Sequence, residues 1–370
     1  TLPYVFRSEY GVDRYLGTAP RIGRLLLIWT WSFFALATDR FQPRFTQWFE
    51  SHLGLRGVFV YADNSVLFHV FHETKPGASV KLAKDDVLIN DEDTIHYSKS
   101  EFPPREVYDT FAARVAKLQL RLRERGAALV PVVIPSKTTM YPDLVKPEWT
   151  KDVGSPRASD VSYTNLTSTL RDRGVSFVDA RALLFARPEP KAHLYARGAR
   201  HWSYLASCYV TRDVFATYER LTGKKAPSYP CDYEVRTDVS IDHEDYDIFR
   251  LMNVWGAHED RSGIPMLKAP EREPERTLDL LIVGTSFCWN FLKDGNRTHV
   301  FSNQHFFYYD KLLFDWPSSY ERPMVALSPE WKSAAMHKEL YILDLFESYE
   351  LTRFATKFLD EMDQAFERGW

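Results

Sequence analysis

Cysteine is scarce: the chain of 370 residues has three, Cys208, Cys231 and Cys288. They allow at most one disulfide, and without a CxxC pair a thiolate zinc site lacks its ligands. The count fits a reducing or an oxidising compartment equally. Charge of one sign is lacking too. Lys plus Arg number 47 against 50 Asp plus Glu, a formal net charge of -3. This excludes the basic footprint of a nucleic-acid binder and the acidic tail of a solvating segment. No GxGxxG or GxxxxGK[ST] follows a strand, so a nucleotide fold has no support. Internal repeats and low-complexity tracts are absent. A membrane span needs about 20 apolar residues. The one candidate, LLLIWTWSFFALA at 25–37, has 13 and reads as a buried helix or, alternatively, an interfacial one. A chain that starts at Thr1 is expected to be a trimmed product, from which a signal or anchor would have left no trace.

What is present is a large core. Hydrophobic residues make up 45% and charged residues 26%, the balance of a folded protein. Aromatics reach 15%, with 10 Trp and 20 Tyr, which suits a rigid core or a cleft on which sugar rings stack. Residues 1–57 read as a helical lead-in, with Phe45, Phe49 and Leu53 four apart before Gly54. Residues 58–370 read as one compact unit. It begins with β-like runs at 58–62 and 66–71, separated by a turn at Asp63 and Asn64, and another around Val87. The period then changes: Val107, Phe111, Val115, Leu118 and Leu122 share a helical face that ends at Gly126. ALVPVVIP follows, an apolar run of the kind buried on both faces of a sheet. Helices around 161–170 and 203–221 alternate with VSFVDA and LDLLIVG, and LYILDLF at 340–346 leads into a last helix. Such alternation predicts an α/β sandwich with a largely parallel sheet.

Sites in open α/β sheets form outside the carboxyl ends of strands. After LDLLIVG, Gly284 permits a sharp turn that would present Ser286, its own N–H placed to stabilise an oxyanion. The same pattern also describes an ordinary serine helix cap. His201, just before the helix at 203–221, has the chemistry of a general base or of a polar surface residue. His69 and His72 would point to opposite faces of a strand, which disfavours a metal site. The run Asp242-His243-Glu244-Asp245 reads as solvated loop. Asn165-Leu166-Thr167 and Asn296-Arg297-Thr298 fit a glycosylation pattern that is frequent by chance. Lys137 lies at another strand end, with Tyr141 close behind it. Either can serve a turn or a cleft that meets an anionic sugar. Asn290 lies one turn after Ser286 and returns to the same helix face. Tyr308 and Tyr309 suit cleft or core alike.

Four segments, VPVVIPSKTTMYPDL, LYARGARHWSYLAS, LDLLIVGTSF and LYILDLFESYEL, stand in the order and approximate spacing of the alginate O-acetyltransferase AlgJ/AlgX family, and FTQWFESHLGLRG also resembles that family's lead-in, so that the resemblance runs from about residue 40 to 350. The resemblance implies an SGNH-hydrolase-like three-layer sandwich, permuted so that the Asp-x-His-Trp motif precedes the serine strand. It implies Ser286 as acetyl-accepting nucleophile and His201 as its base, with Lys137, Tyr141 and Trp202 as substrate-binding or oxyanion candidates, to which helix geometry alone adds Asn290, and no metal or cofactor. Acetyl would pass from a donor to Ser286 and then to a hydroxyl of a secreted, alginate-like exopolysaccharide. By the same resemblance the protein works outside the cytoplasm, in the periplasm. There a membrane-bound O-acyltransferase would supply the acetyl, and a removed N-terminal segment would be a tether.

The sequence departs from the family at Ala199, where the motif has its Asp. Loss of that carboxylate costs a serine-protease triad about 10⁴ in rate. An impaired enzyme is therefore expected, through natural loss or through deliberate replacement of an Asp, the second fitting better with intact Ser and His-Trp motifs. The alternatives are an acetyl esterase, in which water replaces the sugar, and a non-catalytic glycan-binding protein.

Overall fold

Buried residues alternate between two faces in three neighbouring strands, and this alternation sets the architecture. The computed structural model describes residues 54, 56–75, 78–98, 102–146, 149, 158–256, 262–318, 320–347 and 353–370. The lead-in's apolar run and its aromatic helix lie outside them. The chain divides into two units, 1–62 and 63–370; the second carries the sheet.

Among the described residues the strands are β1 (Val80–Leu82), β2 (Leu88–Asn90), β3 (Ala128–Ile134), β4 (Val178–Asp179), β5 (Tyr233–Arg236), β6 (Ile264–Leu267), β7 (Leu278–Gly284), β8 (Phe301–Tyr308), β9 (Leu312–Trp316), β10 (Tyr320–Pro323) and β11 (Leu340–Phe346). Seven form the central sheet in the order β10-β9-β8-β7-β11-β3-β4. From β8 to β4 every pairing is parallel, while β9 and β10 close one edge as an antiparallel hairpin.

Val130, Val132, Ile282 and Ile342 pack on one face of this sheet, and Leu129, Val133, Leu281 and Leu343 on the other. Side chains at successive strand positions point to opposite faces, so a strand apolar at every position must be covered twice. The main helices supply the cover. They follow α1 (Arg56–Val66) and α2 (Asp91–Ser98) and are α3 (Arg105–Glu124), α4 (Ala158–Asp172), α5 (Tyr204–Thr222), α6 (Asp247–Leu251), α7 (Trp289–Thr298) and α8 (Arg353–Glu367). Residues of α5 and α7 join the first face; α3, α4 and α8 join the second. The result is the expected three-layer α/β sandwich with a largely parallel sheet.

The early part of the chain differs from the reading. Residues 58–62 and 66–71, expected as strands, lie in α1 and in the π-helical turn Leu67–Phe71. Short mixed runs of Val, Phe and Tyr fit either period, and α1 buries none of its residues, so burial on a sheet face does not enforce the β propensity of its branched and aromatic residues. Asp63 and Asn64, read as a turn, are inside α1. His69 Nε2 donates to the Trp255 carbonyl oxygen at 2.7 Å.

Cys208 of α5 and Cys231 before β5 form a disulfide, and Cys288 is free and buried.

Candidate active site

Ser286 stands where β7 turns into the helical segment that continues as α7. The turn requires Gly284: a Cβ there would lie 2.5 Å from the Cys288 sulfur and 2.6 Å from the Asp344 Cβ. Asp344, on the neighbouring β11, holds the turn. Its Oδ2 accepts hydrogen bonds from the Thr285 backbone N–H (2.8 Å) and hydroxyl (2.5 Å). Burial pushes this carboxyl up to about 6 against the pull of its Thr285 bonds. The N–H groups of Phe287 and Cys288 are committed to Thr285. That of Ser286 begins the helical segment, ahead of any intrahelical acceptor.

His201 arrives on the loop before α5, and that loop is held at many points. The Lys137 ammonium donates to the carbonyls of Ala196 (2.7 Å), Arg197 (2.8 Å) and Ala199 (2.5 Å). Tyr141 donates to Tyr195 O at 2.7 Å, and Tyr195 to Pro135 O at 2.6 Å. Ser203 caps α5 through Ala206 N and donates back to His193 O. Trp202 Nε1 donates to Phe287 O (3.0 Å), and Asn290 Nδ2 donates to Trp202 O (2.8 Å). These last two bonds tie the histidine loop to the serine helix in both directions. Phe287 stacks on Phe346 and meets the His201 ring edge-on, 4.8 Å between centroids.

The structure brings Ser286 and His201 together, with Oγ to Nε2 at 2.7 Å. Behind the imidazole, Nδ1 lies 2.8 Å from Oδ2 of Asp247, the first residue of α6. Asp247 Oδ1 also accepts from the N–H groups of Arg200 (2.8 Å) and Ile248 (2.6 Å). Burial would raise the Asp247 carboxyl, but the His201 contact and these two N–H groups outweigh it and hold it below the usual range. All three residues are partly exposed. A serine hydroxyl, an imidazole and a carboxylate in hydrogen-bond sequence have the geometry that a nucleophile, its base and an orienting group require.

Several sequence readings are corrected by this geometry. Ala199 does not leave the imidazole without a carboxylate, because Asp247 supplies one from another segment. Ala199 itself is 1% exposed and packs in an apolar cluster with Tyr246, Ile248 and Phe249. Lys137, Tyr141, Trp202 and Asn290, nominated for substrate or oxyanion, are all buried with their polar atoms on backbone groups. They build the site rather than line it. The run 242–245, read as solvated loop, is anchored: Asp245 is buried, and Glu244 bonds to Tyr204 and Lys293. Asp344 was also missed, although a single acid inside the otherwise apolar LYILDLF was a visible signal. Tyr308, opposite Gly284 in the β7–β8 register, and Tyr309 are half-buried beside the serine turn. Among the described residues no group of three or more His, Cys, Asp or Glu is arranged to hold a metal.

Ser286, His201 and Asp247 lie on the carboxyl side of a parallel sheet between helical layers, where sites of open α/β sheets form. Residues 84–245 match the family described as "SGNH hydrolase-like domain, acetyltransferase AlgX", in line with the sequence resemblance. The matched residues include His201 and stop before Asp247 and Ser286. "Probable alginate O-acetylase AlgJ" of Pseudomonas aeruginosa is 30% identical over 145 residues, 38% of this chain and 32% of that protein. The chain thus matches about a third of the length of this curated relative. Among solved structures, the O-acetyltransferase domain of Pseudomonas putida AlgJ is similar over 78% of this chain and 100% of that one (17% identity, TM-score 0.40). Pseudomonas aeruginosa AlgX is similar over 76% and 66% (16% identity, TM-score 0.45).

Proposed function

We propose that this protein is a polysaccharide O-acetyltransferase that works through an acetyl-serine intermediate, with Ser286, His201 and Asp247 as an intact triad. The hydrogen-bonded sequence from Ser286 Oγ to Asp247 Oδ2 carries this reading. In the first half-reaction Ser286 Oγ attacks the acetyl carbonyl of a donor ester and His201 Nε2 takes the hydroxyl proton. Asp247 keeps the imidazole in the tautomer with hydrogen on Nδ1 and stabilises its charged form. The tetrahedral oxyanion meets the Ser286 N–H. Collapse breaks the bond to the donor oxygen, which leaves with the proton from His201. In the second half-reaction a sugar hydroxyl loses its proton to His201 and attacks acetyl-Ser286; collapse breaks the bond to Ser286 Oγ, which takes that proton back from His201. The chemistry asks for no cofactor.

An exopolysaccharide acceptor, alginate-like in the family, and a membrane-bound O-acyltransferase as acetyl supplier belong to the same proposal. So does an extracytoplasmic or periplasmic location with an N-terminal tether. The Cys208–Cys231 disulfide supports an oxidising compartment. No helix among the described residues is long and apolar enough to cross a membrane.

The test uses a chromogenic acetyl ester with and without oligosaccharide acceptors. The wild-type protein is expected to gain one acetyl on Ser286, seen by mass after acid quench, and to deliver it to sugar. Ser286→Ala should abolish both. Release of acetate alone, with acceptor present, would replace transferase by esterase. A well-folded protein with no acetyl-Ser286 would sink the catalytic reading and leave a glycan-binding protein.

A further inference from the structure

In this chain the carboxylate of the relay and its histidine sit on different carriers, so their hydrogen bond depends on how two segments dock. The loop carrying His201 runs directly into α5, and the turn carrying Ser286 runs directly into α7. The segment carrying Asp247 is a third piece, and Glu244 lies at its start in the one-turn helix Glu244–Tyr246. One Glu244 oxygen, Oε2, accepts from the Tyr204 hydroxyl at 2.5 Å, and Tyr204 is the first residue of α5. The other, Oε1, pairs with the ammonium of Lys293 in α7. One side chain thus ties the Asp247 segment to the helices behind both other members of the relay.

The opposite side of the segment meets the histidine loop itself. Phe249 N–H donates to Gly198 O at 3.1 Å, and Arg200 N–H donates to Asp247 Oδ1. The approach is close: a Cβ at Gly198 would lie 3.0 Å from the Tyr246 ring and 3.4 Å from Asp245 O, and the ring would have to give by a few tenths of an ångström. Both flanks of the segment are therefore fixed, and Glu244 is the fixture that reaches α5 and α7 together. Its carboxyl would be raised by burial, but the Lys293 and Tyr204 bonds hold it below the ordinary range, so it is ionised at neutral pH.

We propose that Glu244 is a positioning residue: it clamps the Asp247 segment onto α5 and α7 and thereby sets the Asp247–His201 hydrogen bond. The proposal rests on the triad reading above. A partly exposed ion pair adds little to global stability. A misplacement of about 1 Å at a catalytic group costs about 10²-fold in rate. Loss of Glu244 is therefore felt in turnover far more than in melting.

The experiment follows the far-downfield proton resonance of a histidine Nδ1–H shared with a carboxylate, together with kcat and KM on the acetyl ester. The signal is assigned by its absence in Asp247→Asn and His201→Gln, because His72 and His305 also lie near carboxylates. In Glu244→Ala the resonance is expected to weaken or vanish and kcat to fall about 10²-fold, with KM and melting temperature nearly unchanged. Glu244→Gln, which keeps an acceptor for Tyr204, should recover much of both. The double variant Tyr204→Phe/Lys293→Met removes the same two tethers and should reproduce Glu244→Ala, including where that variant fails to fold. Retention of resonance and kcat without the tethers would overturn the clamp, as would a rise in KM alone. If instead Asp247→Asn turns over at the wild-type rate, the triad reading is what fails, whatever Glu244 does.

Discussion

Ala199 and Asp247 divide between them what the family pattern places at one position. An Asp two residues before the histidine is visible in a short motif; an Asp 46 residues after it, beyond α5 and an irregular stretch, is not. This is why Ser286 and His201 could be read from local sequence while Asp247, the proposed third member, could not. The consequence is testable in both directions. Asp247→Asn keeps a hydrogen bond to Nδ1 but favours the wrong tautomer, a change that costs serine proteases about 10⁴ in kcat; acetyl-ester turnover should fall on that order. Ala199→Asp should not raise turnover. It would put a carboxylate among Tyr246, Ile248 and Phe249 and lower stability by at least about 1–3 kcal/mol, read as a shift in the urea midpoint. A rate increase in Ala199→Asp would show that Asp247 does not do the triad's work.

The loop that delivers His201 is held by side chains that sequence reasoning had assigned to substrate. Lys137 illustrates the difficulty: a lysine at a strand end is a plausible ligand contact, and only the fold shows three loop carbonyls converging on its ammonium. Lys137→Met keeps the stem and removes the donors. Ala196 O and Arg197 O keep backbone donors, the N–H groups of Ala199 and Leu88, while Ala199 O loses its ammonium donor; a loss of about 1–3 kcal/mol and a lower kcat are expected from urea titration and steady-state kinetics. A raised KM with stability unchanged would instead make Lys137 a substrate contact. The strands were legible where apolar residues were continuous, as at β3, β7 and β11, because burial on both faces leaves no polar alternation. α1 was misread because short mixed runs of Val, Phe and Tyr fit either period. The hairpin β9–β10 was not legible from a segment whose strands show no continuous apolar run.

The carboxyl end of the sheet gathers buried acids around the relay, and they tie stability to pH. Asp93 of α2 is 0% exposed, and burial pushes its carboxyl up to about 6 against the pull of Arg200, whose guanidinium lies 3.6 Å away. A folded-state pKa above the unfolded value means that the native protein holds the proton more tightly. The associated stability is full below the unfolded pKa and is lost as pH rises through the folded one. For Asp93 the window runs from about 4 to about 6, with a slope near 1.4 kcal/mol per pH unit. Asp344, also raised to about 6, acts in the same sense. His243 and His305 are lowered by burial and act in the opposite one, so the wild-type profile alone mixes the contributions. Comparison with Asp93→Asn cancels what the two proteins share. The stability of the variant relative to wild type should climb by roughly 1.4 kcal/mol per unit from pH 4 to 6 and then level off, measured as urea unfolding free energies at each pH. A flat difference across that range would mean that Asp93 titrates normally and that the Arg200 pair, rather than burial, governs it.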